Sequence, residues 1–530
     1  MAADEKGPDE KSSDYKAMEG YWALIDAISG GAETMRKCEQ YLPKFVNESP
    51  EDYAYRKCNS PFTNIYTDVS TNLASKPFAQ ELELADGAPK EAVDLAEDID
   101  GQGNNLHKFA AQWFQDGIDY AVDWVLIDYS KAPPKPEGRD RTVAEETDLG
   151  LRPYWCHIHA NRIVAVYSDF VEGEEVIVHA RIREDIVERV GFEEKVHERV
   201  RIFNREKVNA AVGTMEVKYG DATYEVWEKQ EQTDPSKPKW LRIEGPEPVA
   251  IKVIALVPFI TGKRIGATWQ FRPKLRDIAH LQVEEFQQES NLKAILEATA
   301  YPMLAGNGIS GNDAKGQAIK VPVGPKCVLF APPTGAGQHG EWKYIEPSAQ
   351  SITALEAHLA ETQKNMRDLG MQPLTTANLT VITTANVSMK AQSAVQAWAL
   401  QLKDSIELAW VYTMMWLKQE SKDVEVEVYT DFGVDFEATK ELDSLLKAEG
   451  QGIFTKRTVQ LEFKRRGVVD ANFDPDKEEE DLAAQQEGLQ GEQVIDPATG
   501  LPLKPQPGAP AVVPKPGVKP PPKVPAKVAA

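Results

Sequence analysis

Residues 351–410, SITALEAHLAETQKNMRDLGMQPLTTANLTVITTANVSMKAQSAVQAWALQLKDSIELAW, change character twice. Ile352, Leu355, Leu359, Met366 and Leu369 recur at helical spacing and predict a helix over 348–370, closed by Gly370 with Pro373 beyond it. Met371 to Ser388 then runs 18 residues without a charge, rich in Thr and Asn, and Pro373 disfavours helix at its start. Loops that long inside a compact domain are uncommon and are usually functional. From about Met389 to Gln419 a long helix is expected. Its residues Val395, Ala399, Leu402, Ile406, Ala409, Thr413 and Trp416 alternate at four and three positions, a heptad-like seam in an Ala-rich setting.

Upstream, Pro273 at the first helical position opens a helix reaching about Ala300, with apolar Leu275, Ile278, Leu281 and Phe286, and Pro302 stops it. Residues 301–347 hold Gly and Pro turns around two short strands, Ile319-Lys-Val-Pro-Val and Cys327-Val-Leu-Phe-Ala. Further out, Arg152 to about Ile260 reads as an antiparallel sheet, with strands at Arg162–Tyr167, Glu175–Ile182, Arg199–Phe203 and Thr223–Trp227. Short helices precede it: one around Tyr21–Ile28, one opened by Ser49-Pro50, and one from Leu106 to about Asp119 leading into the strand-like run Tyr120–Asp128. Residues 130–150 are a polar, Pro-rich surface excursion, and the charged first 13 residues are expected to be disordered. Downstream, Val424–Tyr429 reads as a short strand and 438–490 as a small helical region. Pro497–Ala530, with 11 prolines, five lysines and no acid, reads as an extended basic arm.

The 530 residues carry 60 basic and 83 acidic side chains, a formal charge of −23. That balance opposes tight, sequence-independent DNA binding by the outer surface, which needs phosphate neutralisation. Apolar residues at 42% and charged residues at 27% are values of a folded chain. Cys38, Cys58, Cys156 and Cys327 are too few for a disulfide framework and point to a reducing compartment. The N-terminus MAADEKGPDEKSS has neither the basic nor the apolar region of a secretory signal. The longest helical apolar run, Leu408–Leu417, is about ten residues short of a bilayer span.

Catalytic motifs fail on context. Gly306-Asn-Gly308-Ile-Ser-Gly311 and Gly335-Ala-Gly337-Gln-His-Gly340 fit a dinucleotide fingerprint, but neither opens a helix. Val249-Ala-Ile-Lys252 and Asp431-Phe-Gly433 lack the glycine loop before them and the catalytic loop between them that a kinase needs. Cys156-His157-Ile-His159 places the two histidines on one strand face and the cysteine on the other, so two ligands at most converge from this run. Acid pairs such as Glu284-Glu285 read as solvated helix faces. No metal, cofactor or catalytic residue is expected.

Several stretches of the chain resemble the portal proteins of tailed bacteriophages, in particular the portal-like family common in phages and prophages. They are YLPKFVNESPEDYAYR (41–56), FTNIYTDVSTNLASKPF (62–78), RPYWCHIHANRIVAVYS (152–168), RDIAHLQVEEFQQESNLK (276–293), YPMLAGNG (301–308), GEWKYIEPSA (340–349) and SAVQAWALQLKDSIELAW (393–410). The match spreads over residues 15–420, although no single motif is diagnostic. The resemblance implies an α+β portal fold. A disordered N-terminus (1–13) would precede a wing of helices then antiparallel sheet (14–272), a stem of two helices (273–300 and 348–370) and a small β clip (301–347). A channel loop (371–388), a long radial helix with a wing strand (389–437), a helical crown (438–490) and the Pro/Lys-rich tail (491–530) would follow. It implies a ring, usually a dodecamer, at one capsid vertex of a virion assembled in the host bacterial cytoplasm. Such a ring is a non-enzymatic conduit for genome packaging and ejection. Its partners would be double-stranded DNA, the terminase large subunit, a head–tail adaptor, and major capsid or scaffold protein, with no membrane and no cofactor.

Elementary electrostatics suits that expectation. A DNA conduit must avoid tight phosphate contacts, and a ring of twelve would carry roughly −276, a strongly repelling field. In the channel loop Thr375, Thr376, Asn378, Thr380, Thr383, Thr384 and Asn386 offer transient, uncharged contacts to phosphate. Lys364 and Arg367 on the second stem helix are candidates for sparse cationic rings, or for an ordinary solvated face. The competing expectations are a ring-shaped head–tail adaptor or scaffold that never conducts DNA, and an enzyme on an α+β fold.

Overall fold

The computed structural model describes residues 7–85, 87–131, 145, 148–171, 173–208, 218–230, 239–300, 303–307, 340–345, 349–370, 381–419, 424–430, 446–447, 449–453, 455–465, 469 and 473–478. The chain divides into two compact units, 1–434 and 435–530. The architecture is α+β, with helices and antiparallel sheets mixed in the first unit.

Local signals start the first unit's helices. Ser12 accepts the Tyr15 N–H at 3.1 Å and caps α1 (Ser13–Ser29). Its own N–H reaches the Val164 carbonyl at 3.1 Å, so residues 7–13 are docked where disorder was expected. After α2 (Gly31–Lys37), Ser49 caps α3 (Pro50–Asn59) by accepting the Asp52 N–H at 3.0 Å, with Pro50 at the first position as the sequence predicts. Then come α4 (Ile65–Ala74), the short strand β1 (Glu83–Leu84), α5 (Lys90–Ala96) and α6 (Leu106–Tyr120).

Ala121, at φ 71, reverses the chain from α6 into β2 (Val122–Tyr129), whose first six residues are all buried. A three-stranded sheet forms from β2, β3 (Pro153–Ile158) and β11 (Leu256–Ile260), in the order β11-β2-β3. The larger sheet has the order β10-β9-β6-β5-β4. Its strands are β4 (Ile163–Val171), β5 (Glu174–Val190), β6 (Glu193–Asn204), β9 (Thr223–Lys229) and β10 (Trp240–Pro248). Two-residue strands β7 (Lys207–Val208) and β8 (Lys218–Tyr219) pair with each other, as do β12 (Lys263–Arg264) and β13 (Phe271–Arg272). Each strand expected between 152 and 260 is present. Arg201 of β6 ties the two sheets by reaching Asp128 of β2 at 2.6 Å.

Three long helices follow: α7 (Arg276–Ala300), α8 (Ala349–Leu369) and α9 (Val381–Leu417). Between the first two, β14 (Met303–Asn307) pairs antiparallel with β15 (Glu341–Ile345); the strands expected at 319–323 and 327–331 lie outside the described residues. The first helix starts three residues after Pro273, which precedes the helix instead of opening it. The third starts at Val381, eight residues before the expected Met389. Helix propensity is a weak prior, and the uncharged run 381–388 joins a long helix despite its Thr, Val and Asn content.

The heptad seam is buried by the chain's own sheet. Val395, Ala399, Leu402, Ile406 and Ala409 are fully buried, and Trp410 meets Trp155 of β3 edge-on at 5.5 Å. Trp155 donates to Thr413 at 2.9 Å, and Ser405 donates to the Pro258 carbonyl at 3.0 Å. The opposite stripe of α9 leaves Leu400, Leu408 and Met415 exposed. The strand expected at 424–429 shortens to β16 (Val426–Glu427), paired with β1. In the second unit, α10 (Lys456–Arg465) is described, with Arg457 paired to Asp476 at 2.8 Å. The rest of 438–490 is only partly described, and the tail lies outside the described residues.

Candidate functional site

The arm formed by α7, the β14–β15 hairpin and α8 is fastened to the N-terminal helices by polar side chains. Gln282, wholly buried, accepts the N–H groups of Ile65 and Tyr66 at 2.9 and 3.0 Å, at the unsatisfied N-terminus of α4. It donates to the Thr63 carbonyl and to Glu285. Ser290 receives Ser60 at 2.7 Å, beside Arg56, which is itself held bidentately by Glu48. Glu284 is exposed as expected, but its neighbour Glu285 is fully buried and takes hydrogen bonds from Gln282 and Gln363 at 3.0 and 2.9 Å. Burial, with the neighbouring Glu289 adding to it, pushes its carboxyl up to about 8. Where α8 ends, Gly370 lies so close to Val69 that a Cβ would stand 2.4 Å from a Val69 methyl.

Lys364 and Arg367 sit three residues apart on α8. Lys364 is exposed; Arg367 is half-buried and donates to the Gln363 carbonyl at 3.5 Å. Of the loop candidates, Thr375, Thr376, Asn378 and Thr380 lie outside the described residues. Thr383, Thr384 and Asn386 belong to the first turns of α9, so the loop bounds 371–388 do not hold at their C-terminal end. The rejected motifs keep their context. Gly306 lies within β14, Gly340 leads into strand β15, and Lys252 occupies a turn at φ 65, paired with Asp221 at 3.1 Å. Asp431–Gly433 lies outside the described residues.

Elsewhere in the first unit the structure gathers groups that the sequence separates. His157 lies on β3 and His159 directly after the strand's end, so they do not share a strand face as alternation predicts; their rings still stand 4.7 Å apart, and Asp116 of α6 and Asp123 of β2 join them. All four donor atoms lie within 4.8 Å of one another. His157 Nε2 contacts Asp123 Oδ2 and lies 3.7 Å from Asp116 Oδ2; His159 Nδ1 is 3.6 Å from the same Asp116 oxygen. Burial raises Asp123 well above the carboxylate range and, with Asp123 beside it, pushes Asp116 up to about 7. Burial lowers both histidines. Counting ligands along one strand gave two; the fold supplies four. An Asp in the middle of the apolar run Val122–Ile127 was the one signal present in the sequence.

Among the described residues no helix is long and apolar enough to cross a membrane. Residues 274–417, less than a third of the chain, match the family model described as a domain of unknown function (DUF4055). This span runs from the start of α7 to the end of α9. A comparison with curated proteins finds no match. Among solved structures, the chain is similar to the neck of a native GTA (gene transfer agent) particle computed with C12 symmetry. Identity is 11%, 74% of this chain and 88% of that chain are covered, and the TM-score is 0.35. For the neck of an empty GTA particle computed with C6 symmetry, identity is 12%, coverage 77% and 92%, and the TM-score 0.38.

Proposed function

We propose that this chain is the portal subunit of a tailed-phage-like particle, a non-enzymatic ring through which DNA passes during packaging and ejection. The observation that carries the reading is the sequence of elements from 276 to 417. Two long antiparallel helices carry a β hairpin at their far end, an uncharged segment follows, and a third long helix packs back into the core. The stretches resembling portal proteins cover the same elements and the sheet before them.

In this reading the ring contact does not use the heptad seam, which α9 buries against its own sheet. The second stripe of that helix, Leu400, Leu408 and Met415, spaced eight and seven residues apart, supplies an apolar face for a neighbouring subunit. The segment starting at Met371, with Thr375, Thr376, Asn378 and Thr380, faces DNA without ion pairs, and Lys364 and Arg367 form sparse cationic rings. The hairpin end of the arm meets terminase and later the head–tail adaptor. The particle is a virion-like capsid with this ring at one vertex.

Sedimentation and negative-stain imaging of the purified chain test this reading. The expected result is a closed ring, around twelvefold, with an axial channel wider than duplex DNA. A lone 58.9 kDa species at micromolar concentration overturns it. A ring without a through-channel favours the head–tail adaptor or scaffold instead.

A further inference from the structure

The turn at Ala121 folds the end of α6 back over the start of β2, and by cross-strand register His157 stands opposite Val125, two residues along the same face from Asp123. His159 follows directly after β3. Three separate elements thus deliver two imidazoles and two carboxylates to one spot.

Three features distinguish the spot from a routine hydrogen-bonded cluster. Asp123 is completely buried, and its Oδ1 is fixed by the Ala160 N–H at 2.9 Å, which leaves Oδ2 aimed at His157. Among the described residues the Asp116 carboxylate accepts no hydrogen bond, although it faces both rings within 3.7 Å. The Nδ1 of His159 is shielded from solvent without a hydrogen-bond partner. Two carboxylates side by side, one of them wholly buried, are relieved by a cation between them, and one hydrogen bond from His157 leaves Asp116 without that compensation.

We infer that Asp116, Asp123, His157 and His159 form a divalent-cation site of Zn2+ type that ties α6 and β3 to β2. Two imidazoles with two carboxylates balance a +2 ion and suit Zn2+ or Co2+ better than Mg2+ or Ca2+, which prefer all-oxygen shells. Tetrahedral Zn2+ with ligands at about 2.0–2.1 Å sets its donors roughly 3.3–3.4 Å apart. The separations of 3.6 and 3.7 Å need only small side-chain adjustments, whereas the direct His157–Asp123 contact must open to admit the ion. The Ala160 N–H on Asp123 orients a ligand from behind, and Phe109, 6.1 Å from the His157 ring, walls the site.

The test uses the full-length chain, stripped with chelator and dialysed against Zn2+ at about 10 µM free ion, then counted for bound metal. We expect about one tightly held Zn2+ per chain, and a rise in melting temperature with added Zn2+. Asp116→Gln and His159→Gln, both at the more accessible side of the site, should each weaken binding at least tenfold while leaving the circular dichroism unchanged. Co2+ loaded into the wild type gives a second readout that needs no variant. An intense visible band without a sulfur-to-cobalt charge-transfer band marks a four-coordinate nitrogen–oxygen site and excludes Cys156, which points to the opposite sheet face. Wild type that stays nearly metal-free overturns the site. So do variants that retain the wild-type stoichiometry and affinity, or a weak octahedral cobalt spectrum. Ring formation is read separately, so failure of this site leaves the portal reading standing, and the converse.

Discussion

The inner face of α9 and the α7–α8 pair are both long helical contacts in one unit, and they are held by opposite means. On α9, Leu402, Ile406, Ala409, Trp410 and Met414 are all fully buried against an apolar sheet. Between α7 and α8 the enclosed groups include Gln282, Glu285 and Thr362, with Met366 as the fully buried apolar side chain described on α8. Apolar burial supplies energy roughly in proportion to area and tolerates small shifts. A hydrogen-bonded set supplies less net energy and demands one alignment, because each group left unpaired in the interior costs about 1–3 kcal/mol. The first contact anchors the fold; the second fixes how the arm sits.

The largest effect should come from breaking the apolar contact. Trp410→Ala removes a fully buried indole packed on Trp155 and should cost about 3–5 kcal/mol, read as a lower denaturation midpoint of the first unit. A loss below about 1 kcal/mol would show that α9 is held by something other than this packing.

An intermediate effect, with a pH signature, is expected in the polar contact. Glu285 has a folded-state value of about 8 against an ordinary 4.5, so its protonated form is favoured in the folded chain. Its contribution to stability is complete below about pH 4.5 and is lost as pH rises through about 8. Glu285→Gln removes this dependence. At pH 5 the variant should be less stable by about 1 kcal/mol, because Gln282 and Gln363 donate to different oxygens and the amide replaces one of them with an NH2 donor. By pH 9 the order should reverse by about 1–3 kcal/mol. Urea midpoints at pH 5, 7 and 9 measure it; parallel curves would contradict a buried carboxyl here.

The smallest effect belongs to the two cations of α8, exposed Lys364 and half-buried Arg367. Lys364→Ala and Arg367→Ala should each change stability by less than about 0.5 kcal/mol. A larger loss in either would mean that these cations hold the helix rather than serve a surface or a lumen.

Much of this contrast was legible in the residues. The alternation in β4 to β6, the Ser49-Pro50 start of α3 and the periodicity of α7 and α8 are local signals, and local signals survive folding. The heptad seam was legible as a buried surface, but not as one buried by the chain's own sheet, since periodicity records that a face is covered and not by what. The start of α9 was hidden because an uncharged Thr/Val/Asn run carries no helix signature of its own. The channel candidates from Thr375 to Thr380 lie outside the described residues, so the structure neither moves nor places them. Asp116 and Asp123 were missed for a different reason: a convergent site assembled from a helix and two strands has no spacing to read.

The glutamine at position 282 has a mechanical consequence. It grips two N–H groups and a carbonyl near the start of α4 while also holding Glu285, which Gln363 of α8 holds from the other side. Sliding α8 along α7 by one turn, about 5.4 Å, would break this lock before any new one could form. A push applied at the hairpin end would have to break these hydrogen bonds before the helices could slip past one another. The pair is braced as a strut rather than a telescope, and the brace ends at Gly370, packed against Val69 of α4.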